Sequence, residues 1–224
     1  MTPDRKAEEA AAESRADANS SDAVAALQRE ALRLCDRYVA EVVLAFGLCP
    51  WAEGVLRAGT LARRVLADAR VVPADVAPII DEWAIGNGGE DGGVEVGFVI
   101  FPRYAGSRGA FDSFAEGVRR AERARRPAGT AVPFVIAAFH PEGSERVGGP
   151  HQLVSFLRRS PDPLLQLVRA ERLDRVKSVS PHVSNEIAER NHAAMTPGNA
   201  ERFNATVRAI RRDRDEAYAA LALA

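Results

Sequence analysis

Lysine, cysteine and long apolar segments are all scarce in this chain of 224 residues. The longest apolar stretches, Val96 to Phe101 and Ala131 to Phe139, are far shorter than the roughly 18 residues that suggest a membrane-spanning helix. The first residues also lack the basic-then-apolar order of a secretory signal. With two cysteines and no export signal, the sequence predicts a cytoplasmic protein that does not enter a membrane.

The two cysteines, Cys35 and Cys49, flank the end of one predicted helix. A rise of about 1.5 Å per residue separates them by roughly 20 Å. A disulfide requires Cα atoms within about 7 Å of each other, so we expect both thiols to be free.

Positive charge is almost entirely arginine, because Lys6 and Lys177 are the only lysines among 30 basic residues. These are balanced by 31 acidic residues, for a net charge of -1, and the composition is that of a soluble globular protein. Acidic residues, Glu116 and Glu122, alternate with the five arginines of the segment 116–126, which is typical of a solvated helix face. We therefore expect a small-molecule substrate and no nucleic acid, and leave a homo-oligomer open.

The order of predicted elements indicates an α/β fold with a small, three-layer-like sheet of three or more strands, flanking helices and a helical C-terminal part. Residues 1–22 are predicted to be a disordered tail, and residues 23–224 a single domain with C-terminal helices from about 181. The predicted strands are Thr60 to Ala67, Val94 to Phe101 and Val132 to Phe139, and the predicted helices before the C-terminal part are Val24 to Phe46, Pro73 to Ile85 and Phe111 to Arg126.

The remaining segments are predicted from their turn and cap residues. Glycines indicate a mobile loop at Gly86 to Gly93, and a polar loop at Glu142 to Pro150 is a candidate lid. A short helix is predicted from Pro163 to Arg169, followed by a helix that starts at Ser180-Pro181 and a last helix that starts at Thr196-Pro197.

His140 is the first candidate site residue, because it follows a predicted inner strand and precedes Pro141. Ligands of open α/β sheets collect beyond the carboxyl ends of the strands. An imidazole there can bind a metal or transfer protons near neutral pH. The alternative is that His140 simply hydrogen-bonds a neighbouring loop.

Cys49 precedes Pro50 and Trp51 just beyond the first predicted helix. A Cys-Pro pair can orient a thiolate toward haem iron. The thiol lies near the negative end of a helix dipole, so nothing in the sequence lowers its pKa. The alternative is a buried cysteine that packs as a small apolar residue.

Arg158, Arg159 and Ser160 precede the predicted short helix, an arrangement that can hold a carboxylate or phosphate. A surface pair of arginines is the alternative. Further along, His182 and Glu186 lie one turn apart, but no second helix with histidine and carboxylate is visible, so we interpret them as part of a solvated face.

Three spaced motifs resemble domain-of-unknown-function family 1415. They are Gly47-Leu48-Cys49-Pro50-Trp51-Ala52, Phe139-His140-Pro141, and Arg159-Ser160-Pro161-Asp162-Pro163-Leu164-Leu165 with Arg169. The chain departs from the family pattern at Trp51, where Phe is typical, at Arg158, where Asn is usual, and at Gln166, where His is common. The family name implies no activity.

The Cys-Pro and His-Pro motifs, with an arginine-bearing loop after them, are also distantly similar to the YqcI/YcgG family, which includes haem-dependent enzymes that oxidise nitrogen. This resemblance implies His140 as the axial iron ligand, Cys49 as the competing ligand, and Arg146 or Arg159 as partners of the haem propionates. Trp51 and Ser160 complete the implied cofactor-binding set.

Three functional hypotheses follow. The leading one is a haem-dependent oxidoreductase that acts on a small polar metabolite, such as an amine. The second is a cofactor-free transferase or hydrolase in which His140 is the acid/base and Arg103, Arg159 and Arg169 clamp an anionic substrate. The third is a non-enzymatic binding protein.

Overall fold

The fold is built around a mixed sheet of four strands in the order β1-β2-β4-β3. The computed structural model describes residues 3–85, 93–149, 152–179 and 182–223. Its strands are β1 (Leu61–Val65), β2 (Val96–Ile100), β3 (Phe134–Phe139) and β4 (Leu164–Arg169). β1 and β2 are parallel, and β4 runs antiparallel to both β2 and β3. The α/β class and the three predicted strands are confirmed.

The prediction of a helix from Pro163 to Arg169 is wrong, because this segment is strand β4. Leu164 pairs with Ile100 on one side and with Phe139 on the other. The segment is a short, mostly apolar run, and periodicity alone does not distinguish a helix from a strand of that length. Hydrogen bonding to strands on both sides makes this segment a strand. Because β4 lies between β2 and β3, β3 is at the edge of the sheet rather than inside it, and its Val135 is exposed.

Helices cover both faces of the sheet. They are α1 (Pro3–Tyr38), α2 (Ala52–Arg57), α3 (Ala77–Ala84), α4 (Arg108–Ala124), α5 (Leu153–Leu157), α6 (Ala170–Val179), α7 (Val183–Ala194) and α8 (Pro197–Leu223). The five longer predicted helices are confirmed at α1, α3, α4, α7 and α8, whereas α2, α5 and α6 were not predicted. None of the described helices combines the length and the hydropathy that crossing a membrane requires.

The end of the first helix departs from α-helical geometry. After α1, Val39–Leu44 form a π-helical segment, in which the Ala45 N–H donates to the Ala40 carbonyl at 3.2 Å. Gly47, at φ 60°, then turns the chain. π-helical segments are rare and frequently occur at functional sites. The surface that Val39–Leu44 faces is therefore a candidate site.

Two apolar layers sandwich the sheet. On one face, α3 and α4 pack through Trp83, Phe111 and Phe114 against Val99 and Leu165. The other face, with Val96, Phe98, Ile100 and Leu164, is covered by α1, the π-helical segment and α2. A third cluster joins α1, α5 and α8 through Leu34, Phe156 and Phe203.

Some expectations fall outside what the structure describes. The predicted mobile loop lies outside the described residues except for Gly93, and so does the Ser180-Pro181 cap. From Pro3 onward the predicted tail at residues 1–22 is the first part of α1, and the described side chains begin at Ser21. No observation tests its disorder, which stays a prediction.

Candidate functional site: an apolar cavity with one arginine

A cavity of about 430 Å³ lies between the sheet and the helical layer formed by the π-helical segment, α2, α5 and α7. This volume is within the range of pockets that bind small molecules. Val39 and Val43 of the π-helical segment form part of the wall, beside Trp51 and Val55. The irregular helix end therefore faces this cavity.

The floor of the cavity is one face of strand β4. Leu164, Gln166 and Val168 line it, whereas the intervening Leu165 and Leu167 are buried in the core beneath α4. Alternate side chains of a strand point to opposite faces, so the sequence of β4 places a single polar residue, Gln166, on the cavity floor.

Polar groups are few in the cavity wall. The Tyr38 hydroxyl donates to the Leu157 carbonyl at 3.0 Å, and the Asn191 amide donates to the Leu48 carbonyl at 3.0 Å. This leaves Cys49, Arg158, Gln166 and the indole N–H of Trp51 as the side-chain polar groups available to a ligand. Among the described residues that line the cavity there is no aspartate, glutamate or histidine.

Arg158 is the one charged residue in the described lining. Its guanidinium carbon lies 5.4 Å from the centre of the Phe139 ring, and no described residue forms a hydrogen bond or ion pair with the guanidinium. Burial lowers the pKa of Arg158, but an arginine remains charged at any physiological pH. A half-buried cation without an anion is unfavourable, and a bound anion would remove that penalty.

Gln166 lies in the middle of the sheet, paired with Phe98 on β2 and Ala137 on β3. Its half-buried amide has no hydrogen-bond partner among the residues that the structure describes. A glutamine amide offers two donors and one acceptor. All of them are free for a molecule in the cavity.

Cys49 lies between Gly47 and the first turn of α2, where the Ala52 N–H donates to the Cys49 carbonyl at 3.3 Å and the backbone N–H groups of Trp51 and Ala52 lower the pKa of the thiol. Cys49 follows the end of the first helix, as predicted, but it also precedes the start of α2, which was not predicted. Burial outweighs the influence of these N–H groups and raises the pKa of the Cys49 thiol. Cys35 is buried, with a pKa raised to about 12 by desolvation, and both cysteines are free as predicted.

His140 does not line the cavity, although it follows Phe139, which does. Its ring contacts Phe111 of α4, at 5.9 Å between ring centres, on the opposite face of the sheet. Nδ1 accepts the Glu142 N–H at 3.1 Å, and Nε2 lies 3.2 Å from the Gly106 carbonyl. Both nitrogens are thus satisfied by a neutral imidazole that carries its proton on Nε2.

The surroundings of His140 match the loop-bonding alternative better than a metal or acid/base role. Burial lowers the pKa of His140, which keeps the ring neutral. An iron atom at either nitrogen would displace the Glu142 N–H or the Gly106 carbonyl. His140 therefore does not fit the haem set that the resemblance implies.

Arg159 and Ser160 are also engaged away from the cavity. Arg159 donates to the Phe156 carbonyl at 2.9 Å and to Asn204 Oδ1 at 2.5 Å. The Ser160 hydroxyl donates to the Asp162 carbonyl at 2.5 Å. The short helix predicted after these residues is strand β4. Of the three residues of the predicted anion site, Arg158 lines the cavity described above, whereas Arg159 and Ser160 border a separate small recess.

The other predicted arginines do not converge. Arg169 donates to the carbonyls of Val94 at 2.9 Å and Trp83 at 2.8 Å, which fixes the chain beside β2. Arg103 and Arg146 are exposed. The clamp of Arg103, Arg159 and Arg169 is consequently not assembled in this structure.

Two further expectations concern the C-terminal half. No group of three or more histidine, cysteine, aspartate or glutamate side chains within the described ranges is arranged to hold a metal ion. The candidate lid, described as far as Gly149, is held by His192, whose Nε2 lies 3.1 Å from the Gly148 carbonyl, and by Asn204, which donates to the Glu145 carbonyl at 3.4 Å.

Comparison with known proteins identifies the family but no activity. The chain belongs to the family described as "Protein of unknown function (DUF1415)", whose model matches residues 30–205. This confirms the resemblance noted in the sequence. No curated protein and no solved structure matches the chain. Trp51, Arg158 and Gln166, which the sequence resemblance marks as departures from the family motifs, all line the cavity.

Replacement of His140 by Ala is expected to lower the free energy of unfolding by about 2 kcal/mol, because two loop hydrogen bonds and a ring contact are lost. His140→Asn is the matched variant, since its Oδ1 can still accept the Glu142 N–H, and we expect about half that loss. Urea denaturation measures both. Equal losses, or none, would contradict the assigned role.

Proposed function

We propose that this protein binds a small organic carboxylate with an apolar body in the cavity lined by Cys49, Arg158 and Gln166. The observation that carries the proposal is the Arg158 guanidinium, which lies in an apolar cavity without a partner among the described residues. The proposal retains the anionic ligand of the second hypothesis and the binding role of the third.

The charge of the lining favours a singly charged ligand. Arg158 is the only cation among the described lining residues, so a phosphate dianion would keep an unpaired charge. A carboxylate matches the guanidinium fork with two parallel hydrogen bonds. The surrounding apolar wall strengthens that interaction, because the local dielectric constant is low.

The apolar wall determines the rest of the ligand. Val39, Val55, Leu56 and Phe98 present hydrocarbon to the cavity. Apolar surface buried there contributes roughly 25 cal/mol per Å². The lack of a carboxylate or imidazole in the described lining supports binding rather than acid–base hydrolysis.

Calorimetric titration with octanoate tests the proposal, with octylamine and octanol as probes of similar apolar body. We expect octanoate alone to bind with one-to-one stoichiometry. Arg158→Ala should weaken its binding between about ten- and a hundredfold, the effect of losing a charge-assisted hydrogen-bond pair. Arg103→Ala is the control, because Arg103 is exposed and outside the cavity.

A second readout locates the bound probe. Octanoate should slow alkylation of Cys49 in native protein, as measured by mass spectrometry of peptides, and leave the buried Cys35 unreactive with or without probe. Equal affinity for the three probes, or full octanoate binding by Arg158→Ala, would refute the proposal.

Haem is the competing occupant, since Cys49 is the one candidate iron ligand that lines the cavity. Haem would supply redox chemistry there, and Arg158 is the residue available to a propionate. A Soret band on addition of haemin, lost in Cys49→Ala and retained in His140→Ala, would favour this alternative. Failure of haemin to bind would exclude haem as the occupant of the cavity.

A further inference from the structure

The cavity is elongated along strand β4, so its two ends can be compared. Leu164, Gln166 and Val168 lie along its floor, and a rise of about 3.3 Å per residue separates the first from the last by roughly 13 Å. Arg158 faces the Phe139 ring, and Phe139 is the β3 partner of Leu164. The charge is thus at the Leu164 end.

The opposite end of the cavity is lined mainly by aliphatic side chains, with the Cys49 thiol beside them, near Arg172 of α6. Val168 pairs with Val96 of β2, which pairs in turn with Leu61 of β1, and all three line the cavity. Leu173 of α6 completes this end. A ligand with its anion on Arg158 therefore places hydrocarbon at the far end of the sheet.

Gln166 lies between the two ends, roughly 7 Å along the strand from Leu164. An unbranched hydrocarbon lying over it would keep the amide without a hydrogen-bond partner, and an unsatisfied buried amide is costly. A ligand with a carbonyl or hydroxyl group at that position satisfies the amide. Sites that contain a buried hydrogen-bonding group discriminate strongly against analogues that lack the matching group.

Resting on the proposed function, we propose that the ligand is a medium-chain oxo- or hydroxycarboxylic acid in an extended conformation. Its carboxylate binds Arg158, its oxygen substituent in mid-chain binds Gln166, and its alkyl end lies beside Val168 and Leu173.

The length of the site is tested by titrating the full chain with unbranched carboxylates from butanoate to tetradecanoate. Affinity should rise up to about fourfold for each added methylene while the chain fills the cavity. It should then level off or fall once the chain exceeds the cavity. An affinity that does not depend on chain length would overturn the extended binding mode.

The role of Gln166 is tested with decanoate and its 5-, 6- and 7-oxo derivatives. We expect at least one oxo derivative to bind about tenfold more tightly than decanoate. Gln166→Leu, which is close in size, should abolish or reverse this preference. Arg158→Ala should weaken binding of both molecules and keep the preference.

The outcomes separate the two proposals. If no carboxylate binds, the proposed function itself fails. If carboxylates bind through Arg158 but no oxo derivative is preferred, or if the preference survives in Gln166→Leu, the inference about the substituent is wrong and the proposed function stands.

Discussion

Replacement of Asp162 by Ala lowers the free energy of unfolding by an expected 3 to 5 kcal/mol, about the loss on breaking a buried ion pair. Asp162 is 1% exposed and accepts hydrogen bonds from Arg214 Nε and the Tyr218 hydroxyl, each at 2.6 Å. The variant deprives both α8 side chains of their acceptor. Urea denaturation of the purified variant measures the loss.

Asp215→Ala is the matched control, because Asp215 also contacts Arg214, at 3.0 Å, but from the exposed surface. Surface ion pairs contribute about 0 to 1 kcal/mol, so this variant should be nearly neutral. Similar losses in the two variants would contradict a buried anchor at Asp162.

The protonation state of Asp162 reflects two opposing influences. Burial raises the pKa of its carboxyl group, and Arg214 and Tyr218 lower it. Burial is the larger of the two, whereas Asp162 helps to raise the pKa of Arg214. We attribute the anchor to the directed hydrogen bonds, because each donor lies within 2.6 Å of a separate carboxylate oxygen.

The hydrogen bonds that Asp162 accepts from α8 also affect the position of a cavity residue. Asp162 lies in the segment between Arg158 and β4, and its carbonyl accepts the Ser160 hydroxyl. This segment determines where Arg158 enters the cavity wall. The C-terminal helix α8 thus fixes the position of the candidate ligand-binding residue without contributing to the described lining.

Residues near one another in sequence were predictable, and their partners far along the chain were not. The apolar run of β2 and the periodicity of α4 each suffice to define an element. β4 is a strand because β2 and β3 supply hydrogen bonds on both sides. No local pattern contains that information.

In the candidate site, too, the partners of each side chain come from distant parts of the chain. Arg158 and Arg159 are adjacent and have the same side-chain chemistry, but α8 supplies Phe203 and Asn204 to Arg159 alone. His140 was correctly located at a strand end, yet its face depends on the alternation that directs Phe139 into the cavity. Chemistry-bearing residue types were visible in the sequence, and their partners were not.

Introduction of a methyl group at Gly97 has the second largest expected effect on the free energy of unfolding. A Cβ atom built there lies 2.2 Å from Trp83 Cζ3 and 2.4 Å from Cε3. Trp83 is buried, and its carbonyl is fixed by Arg169 at 2.8 Å, so the ring has little freedom to move. Gly97→Ala should therefore lower the free energy of unfolding by about 3 kcal/mol, the upper end of typical overpacking effects.

Gly54→Ala provides the control for Gly97→Ala. Apart from its chain neighbours and the adjacent backbone of its own helix, no atom lies within 4 Å of a Cβ at Gly54, and this helical position should gain up to about 1 kcal/mol from the replacement. Trp83→Leu removes the clashing ring, so the loss caused by Gly97→Ala should shrink in the double variant. Additive losses in that double-mutant cycle would show that contact with the Trp83 ring is not what keeps residue 97 a glycine.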